Sequence, residues 1–199
     1  MARNFLLSII FFNVLAFSGF TQSNRKIIPF NSNWQFCNQE DFAASQNNLP
    51  DTKGFLFTGW QTVNLPHTAK VEPLVISKPW EGISWYKKDF QAKPEWTTKK
   101  VFIAFEAAMQ QAEVWLNGKH LLTHYGGYLP FTVDITHEII FGKPNRIVVK
   151  TDNHSNPDIP PGKPIKDLDF CYYSGLYRNV SLIITNPIHI TDAVQENKI

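Results

Sequence analysis

The 199-residue sequence predicts an all-β fold, and three observations carry that prediction. Short segments recur in which apolar and polar residues alternate, the period of a half-buried strand. Turn-forming residues (Asn, Gly, Pro, Asp) punctuate nearly every junction between them. No amphipathic helix separates the segments, so parallel βαβ units are not expected and an antiparallel sandwich is. At this length the chain suits one domain, able to remove ~70% of its unfolded surface from water.

The first 21 residues stand apart. Arg3 gives a basic start, and residues 5–20 are almost wholly apolar, interrupted by Ser8, Asn13, Ser18 and Gly19. That pattern reads as a signal peptide, with small residues near Ser18 and Thr21 suiting cleavage. The run is short for a spanning helix. The protein is therefore expected to be exported, to a periplasm or to the extracellular space.

The strands follow in order. "IIPFNSNWQF" reads as an entering strand with a turn at residues 31–33. Residues 38–55 are polar, with one short helical possibility before the Asn47-Asn48 and Pro50-Asp51 breakers. Strand signals resume with "WQTVNLPH", then "ISWYKKDF" and "VFIAFEAA", the last two separated by a turn at Pro94 and Glu95. "FTVDIT", "NRIVVKTD", "YRNVSLIIT" and "IHITDA" complete the set after a hairpin. The period of two assigns Val101, Ile103, Phe105, Val114, Ile147, Val149, Val180 and Leu182 to the core.

The hairpin is announced by Asn117-Gly118 between alternating runs, the pair that best tolerates the positive φ of a two-residue type I′ turn. Such a turn pairs Leu116 with Lys119, Trp115 with His120 and Val114 with Leu121. Trp115 then shares a face with Glu113 and His120, and a core position is favoured for it over a sugar platform. "HYGGYLPF" follows, where Gly126-Gly127 suit a bulge, a corner at a crossing between sheets, or the close approach of a ligand such as a sugar.

Composition excludes several classes. A formal charge of +2 is too small to argue for nucleic acid or an anionic membrane. The six histidines show no metal-binding spacing, and no G-x-S-x-G elbow, phosphate loop or dinucleotide fingerprint occurs. Cys37 and Cys171 are the only cysteines, and the sequence leaves open whether they pair or stay as separate thiols. Asn153-His-Ser155 and Asn179-Val-Ser181 match the glycosylation pattern.

The most functional-looking stretch is residues 152–170, "DNHSNPDIPPGKPIKDLDF". Its four prolines stiffen a long loop, and it carries Asp152, Asp158, Asp167 and Asp169. Long ordered loops on a β scaffold commonly carry function. In an extended segment Asp167 and Asp169 point the same way, as a hard cation or a network of sugar hydroxyls requires; solvated surface charge is the other reading. Arg178, beside this acidic loop, is expected to form a structural ion pair.

"WQTVNLPHT", "SWYKKDF", "VFIAFEAAMQQAEVWLNGKHLLTHYGGYLPFTVDIT", "NRIVVKTDN" and "SGLYRNVSL" together resemble, in order, the N-terminal sugar-binding domain of glycoside hydrolase family 2. That family includes β-galactosidases, β-glucuronidases and β-mannosidases. The resemblance implies a jelly-roll β-sandwich of the galactose-binding-domain-like kind, over residues 22–190. It also implies that residues 191–199 begin a linker or an immunoglobulin-like domain, itself followed by a TIM barrel with two catalytic glutamates. Retaining hydrolysis needs two carboxylates ~5 Å apart, and no glutamate here sits in the family's Asn-Glu motif. The chain is thus expected to be fragmentary and unable to hydrolyse glycosides alone.

In β-galactosidases of the family a D-x-D segment before "S-G-(I/L)-(Y/F)-R" reaches the barrel's active site. Here that segment is Asp167-Leu168-Asp169. The resemblance makes Asp169 a contact for a sugar hydroxyl and a monovalent cation, with Asp167 as a second substrate contact. Many members place a tryptophan-bearing "R-W-x-P-G-S-G" next, whereas this chain has Phe170-Cys171-Tyr172-Tyr173 before Ser174-Gly175. The substrate is therefore left open. A free-standing carbohydrate-binding module and a protein-interaction sandwich are the alternatives.

Overall fold

In a computed structural model of the chain, the described residues are 25–41, 59–73, 79–164, 167 and 172–191. They form ten strands in two antiparallel sheets, with no α-helix among them. The strands are β1 (Lys26–Pro29), β2 (Trp34–Asn38), β3 (Gln61–Val63), β4 (Ile83–Gln91), β5 (Lys100–Phe105), β6 (Gln111–Leu116), β7 (Lys119–Tyr125), β8 (Phe131–Asp134), β9 (Pro144–Asp152) and β10 (Val180–Thr185). The smaller sheet has the order β1-β10-β5-β8 and the larger β3-β2-β4-β9-β6-β7. The expected signal peptide and Cys171 lie outside the described residues, as does most of the helical possibility in 38–55, where a 3-10 turn at Gln39–Asp41 is seen.

Alternation decides which side chains meet between the sheets. All eight residues assigned to the core are buried, joined by Trp34, Phe36, Tyr86, Phe131, Ile135 and Leu176 from both sheets. Phe105 and Phe131, on neighbouring strands, stack with centroids 4.6 Å apart. Each large core side chain removed from water contributes roughly 1.5–3 kcal/mol. Gly126-Gly127 lies in the crossing from β7 in one sheet to β8 in the other. Gly126 has φ +130°, and a Cβ on Gly127 would run into the Met109 thioether.

Two expectations are corrected here. The hairpin keeps Leu116 opposite Lys119 and Trp115 opposite His120, but Val114 pairs with Leu122, not Leu121. A bulge between Val114 and Trp115 absorbs one extra residue, so Leu121 and Leu122 both pack against the core edge. "IHITDA" forms no strand over residues 188–191: the chain bends at Asn186-Pro187, and Ile188 and Ile190 are 93% and 89% exposed. Proline lacks the donor a ladder would need there.

Trp115 is buried, yet not between the sheets. Its neighbours Val114 and Leu116 face the shared core, so alternation turns Trp115 to the outer face of the larger sheet. There it joins Cys37, Trp85 and Val148, one from each of the four adjacent strands β2, β4, β9 and β6, in a second apolar cluster. Trp85 and Trp115 lie 5.9 Å apart, and the Lys150–Glu113 ion pair (2.8 Å) borders them.

Candidate functional site

The sandwich has two unlike ends. At one, the hairpin and short turns close the strands. Asn117 adopts φ +53° for the turn, and its amide also bonds outward. Its Nδ2 donates to Glu138 O (3.0 Å) and to Asn145 Oδ1 (2.9 Å), while its Oδ1 accepts from Arg146 N (2.9 Å). Asn145, fully buried, donates through Nδ2 to Ile140 O (2.8 Å) and accepts at Oδ1 from Ile140 N (2.8 Å). The amides of Asn117 and Asn145 are thus consumed internally.

The other end gathers the longer connections, described at residues 39–41, 64–73, 79–82, 106–110, 126–130, 153–164 and 172–179. Its floor is rigid. Asn153, 2% exposed, accepts from Gly82 N (2.7 Å) and donates to Trp80 O (2.9 Å). Gly175 has φ +77°, and a Cβ there would run into the Tyr86 hydroxyl. The 174–180 segment is held from three sides. Ala69 N donates to Ser174 O (3.3 Å), Met109 N to Gly175 O (3.1 Å), and Val180 N to Asn31 Oδ1 (2.8 Å). Beneath it, His67 Nδ1 lies 3.1 Å from Tyr86 Oη, and burial lowers the His67 pKa.

Above that floor stands a polar and aromatic rim. Asp152 Oδ1 accepts from His154 N (3.0 Å) and lies 2.6 Å from His154 Nδ1. Glu81 accepts from the Ser155 hydroxyl (2.8 Å). Tyr177 donates its hydroxyl to Gly127 O (2.6 Å), tying the glycine crossing to the 172–178 segment. Tyr173 stacks on Tyr177 at 6.1 Å, and the Arg178 guanidinium lies 5.7 Å from the Tyr177 ring. Burial pushes the Tyr172 phenol up strongly, and nearby Tyr128, Glu81, Asp152 and Tyr177 add to it. Tyr128 and Tyr177 are also raised by burial, so all three phenols stay in the neutral form.

The residues singled out in the sequence distribute unevenly over this end. Asp152 belongs to the rim. Asp167 is exposed, its N–H closing a turn onto Pro164 O (2.9 Å). Asp158 is exposed, with its N–H bonded to Asn156 Oδ1 (2.9 Å). Asp169 lies outside the described residues. The ion pair expected of Arg178 does not appear among the described residues, where its guanidinium sits over Tyr177 instead. Both sequon asparagines have engaged amides: Asn153 as above, and Asn179 donating to Glu106 Oε2 (3.1 Å) and accepting from Asn31 (2.9 Å). The tyrosine rim was not picked out from sequence. Its only signal was "CYYSGLY" beside "YGGY", two tyrosine pairs in segments far apart along the chain.

The fold has counterparts among known proteins. The chain is 35% identical over 173 residues to a Thermoanaerobacter pseudethanolicus β-galactosidase, covering 84% of this chain and 22% of that protein. It is 31% identical over 190 residues to a Formosa agariphila β-glucuronidase, covering 89% and 19%. A Bacteroides uniformis β-glucuronidase, solved covalently bound to cyclophellitol-6-carboxylate aziridine, superposes with TM-score 0.68 at 27% identity, over 80% of this chain and 18% of that one. The chain thus spans about a fifth of the length of the curated relatives it matches. Residues 30–187 match the family model described as "Glycosyl hydrolases family 2, sugar binding domain", and the chain belongs to that family as its sugar-binding domain.

Proposed function

We propose that this sandwich, a jelly roll over residues 22–190, serves an exported family 2 glycosidase and forms one wall of its substrate entrance at the loop end. The observation that carries this reading is the rim of Asp152, Glu81, His154, Tyr177 and Arg178 that stands at the loop end over a floor whose backbone is already satisfied; in sequence, the D-x-D segment belongs to the connection between β9 and β10 that carries part of this rim. In this reading residues 191–199 lead to an immunoglobulin-like domain and a TIM barrel, which supplies the acid/base and nucleophilic carboxylates. Asp169 holds a sugar hydroxyl from the sandwich side, with Asp167 beside it. A carboxylate that accepts from a substrate hydroxyl adds affinity and orientation and takes no part in bond cleavage itself. The basic start and apolar run of residues 3–20 support export.

Relatives named for both β-galactosidase and β-glucuronidase activity leave two substrate classes, and one experiment separates them. Residues 30–187 are exchanged into the Thermoanaerobacter pseudethanolicus β-galactosidase and, separately, into the Formosa agariphila β-glucuronidase. Each chimera is assayed on chromogenic galactosides and glucuronides. The host in which this sandwich sustains turnover identifies the substrate. The isolated chain turns over neither, and authentic turnover by a contaminant-free sample of it would overturn the reading. Sequencing the N-terminus of protein recovered outside the cytoplasm tests export, which predicts a start near residue 19 or 22.

A further inference from the structure

Asn117-Gly118 turns the hairpin, and it is also the one asparagine–glycine pair in the sequence. In such a pair the backbone nitrogen of the glycine, once it has lost its proton, can attack the asparagine Cγ. A bond forms between Gly118 N and Asn117 Cγ, the bond from Cγ to Nδ2 breaks, and ammonia leaves. Water then opens the five-membered imide at either carbonyl, giving aspartate or isoaspartate. Water is the only co-reactant. Glycine hinders the attack least because it has no Cβ, and every other asparagine of the chain precedes a residue that has one. Gly118 is exposed, so solvent reaches it.

The folded chain denies this attack its geometry. The carboxamide has to swing until Cγ faces Gly118 N, and it is tied at every polar atom. Nδ2 spends its two hydrogens on Glu138 O (3.0 Å) and Asn145 Oδ1 (2.9 Å), and Oδ1 accepts from Arg146 N (2.9 Å). The Asn117 backbone is pinned as well, its N–H donating to Arg146 O (2.9 Å). Asn145 has no slack to yield. It is fully buried, and its own amide is held by Ile140 N (2.8 Å), Ile140 O (2.8 Å) and Lys143 O (3.3 Å). Swinging the Asn117 side chain therefore breaks three hydrogen bonds at once.

We propose that Asn117 is a fold-gated deamidation site, guarded by Asn145 while the hairpin end is closed and converted once that end opens. The conversion runs one way. A carboxylate has no hydrogen to give, so at position 117 it sets one acceptor against two others, Glu138 O and Asn145 Oδ1. Isoaspartate also adds a methylene to the backbone of a two-residue turn. Either product costs the hairpin end the bonds that closed it. The modification belongs to the scaffold and does not depend on what the loop end binds.

The test incubates the chain at mildly alkaline pH, folded or in concentrated urea, and follows residue 117 by peptide mapping with separate detection of isoaspartate. Conversion should be at least about tenfold slower in the folded chain, because only locally opened molecules react. Asn145→Ala should remove most of that protection. Gly175→Ala, which weakens the loop end, should leave most of it in place. Conversion as fast in the folded chain as in urea would overturn the proposal. So would a folded Asn145→Ala protein that converts at the parent rate, or equal acceleration by both substitutions, since global unfolding would then be the gate. Should Asn145→Ala not fold, the parent alone gives the answer. Urea below its global transition should speed conversion in step with amide exchange at Asn117, and a rate that stays flat until the global transition would overturn the local gate.

Discussion

The hairpin end and the loop end are built from the same strands, yet they spend their polar groups differently. At the hairpin end Asn117 and Asn145 satisfy one another and the surrounding backbone, so their amides are spent on holding short turns. At the loop end the same device lies in the floor, where Asn153 locks Gly82 and Trp80 and Asn31 holds Val180 and Asn179. Above it Asp152, Glu81, Arg178 and the tyrosines face outward. The difference separates scaffold from site: an end can carry function when its backbone is already satisfied by a layer beneath the functional groups. Burying a satisfied amide is tolerable, whereas leaving one unpaired costs about 1–3 kcal/mol.

Substitutions can break this contrast in a graded way. The largest effect is expected from Asn145→Ala, which empties a fully buried site and removes the partner of the Ile140 N–H and C=O and one acceptor of the Asn117 amide. It should cost about 3–4 kcal/mol in chemical denaturation and leave sugar binding at the loop end unchanged in whatever fraction stays folded. Gly175→Ala comes next. It combines a left-handed φ with a clash against the Tyr86 hydroxyl, for a loss of about 2–3 kcal/mol. Because Gly175 belongs to the floor, this change should also lower kcat/KM in whichever chimera is active. A stable Gly175→Ala protein with full turnover there would mean that the floor does not position the rim.

Mild acid should act on one end only. His67 and His124 both have pKa values lowered by burial, and both belong to the loop end, His124 stacking on Phe131 at 4.2 Å. A histidine with a depressed folded pKa contributes stability that is complete above its unfolded value of about 6.5 and is lost as the pH falls through the folded pKa. Amide protection, measured against the intrinsic exchange rate at each pH, should therefore fall at residues 67–69 and 126 between pH 7.5 and pH 5.5 more than at residues 117 and 145. An equal loss of protection at both ends would remove the distinction. The Asp89–Arg146 pair (2.6 Å) works in a lower window. The Arg146 hydrogen bond depresses the Asp89 pKa, so its contribution holds above the ordinary carboxylate range and fades only below it. The smallest effect on stability is that of Tyr173→Ala, within ~0.5 kcal/mol of the parent, because the residue is half exposed.

Much of the scaffold was legible in the sequence because period-two patterning reports burial directly. Val101, Ile103 and Phe105 could hardly be read otherwise, and Asn117-Gly118 named its own turn. The bulge that pairs Val114 with Leu122 was not legible, since Leu121 and Leu122 are both apolar and either register buries one of them. The outer cluster of Cys37, Trp85, Trp115 and Val148 was signalled by adjacent apolar residues in "FC", "WY", "VW" and "IVV". Such pairs show that both faces of a strand are covered without saying by what. The rim was the least legible, because Tyr128 and Tyr177 lie 49 positions apart and are brought together only by the crossing at Gly126-Gly127 and the long 153–179 connection. Asp169 rests on the match of "DLDFCYYSGLYRNV" to a family segment, and that assignment is the one to measure.

The most direct test compares Asp169→Asn with Asp158→Asn in whichever chimeric glycosidase is active, reading kcat/KM and melting temperature for each. Asp169→Asn removes a charged partner of a substrate hydroxyl, worth on the order of 1.5–3 kcal/mol. It should lower kcat/KM by ~10- to 100-fold without shifting the melting temperature. Asp158, exposed in the same connection but outside the matched segment, should tolerate the change with little loss. Equal behaviour of the two variants, or a collapse of thermal stability in Asp169→Asn, would contradict the assignment and make Asp169 a structural residue.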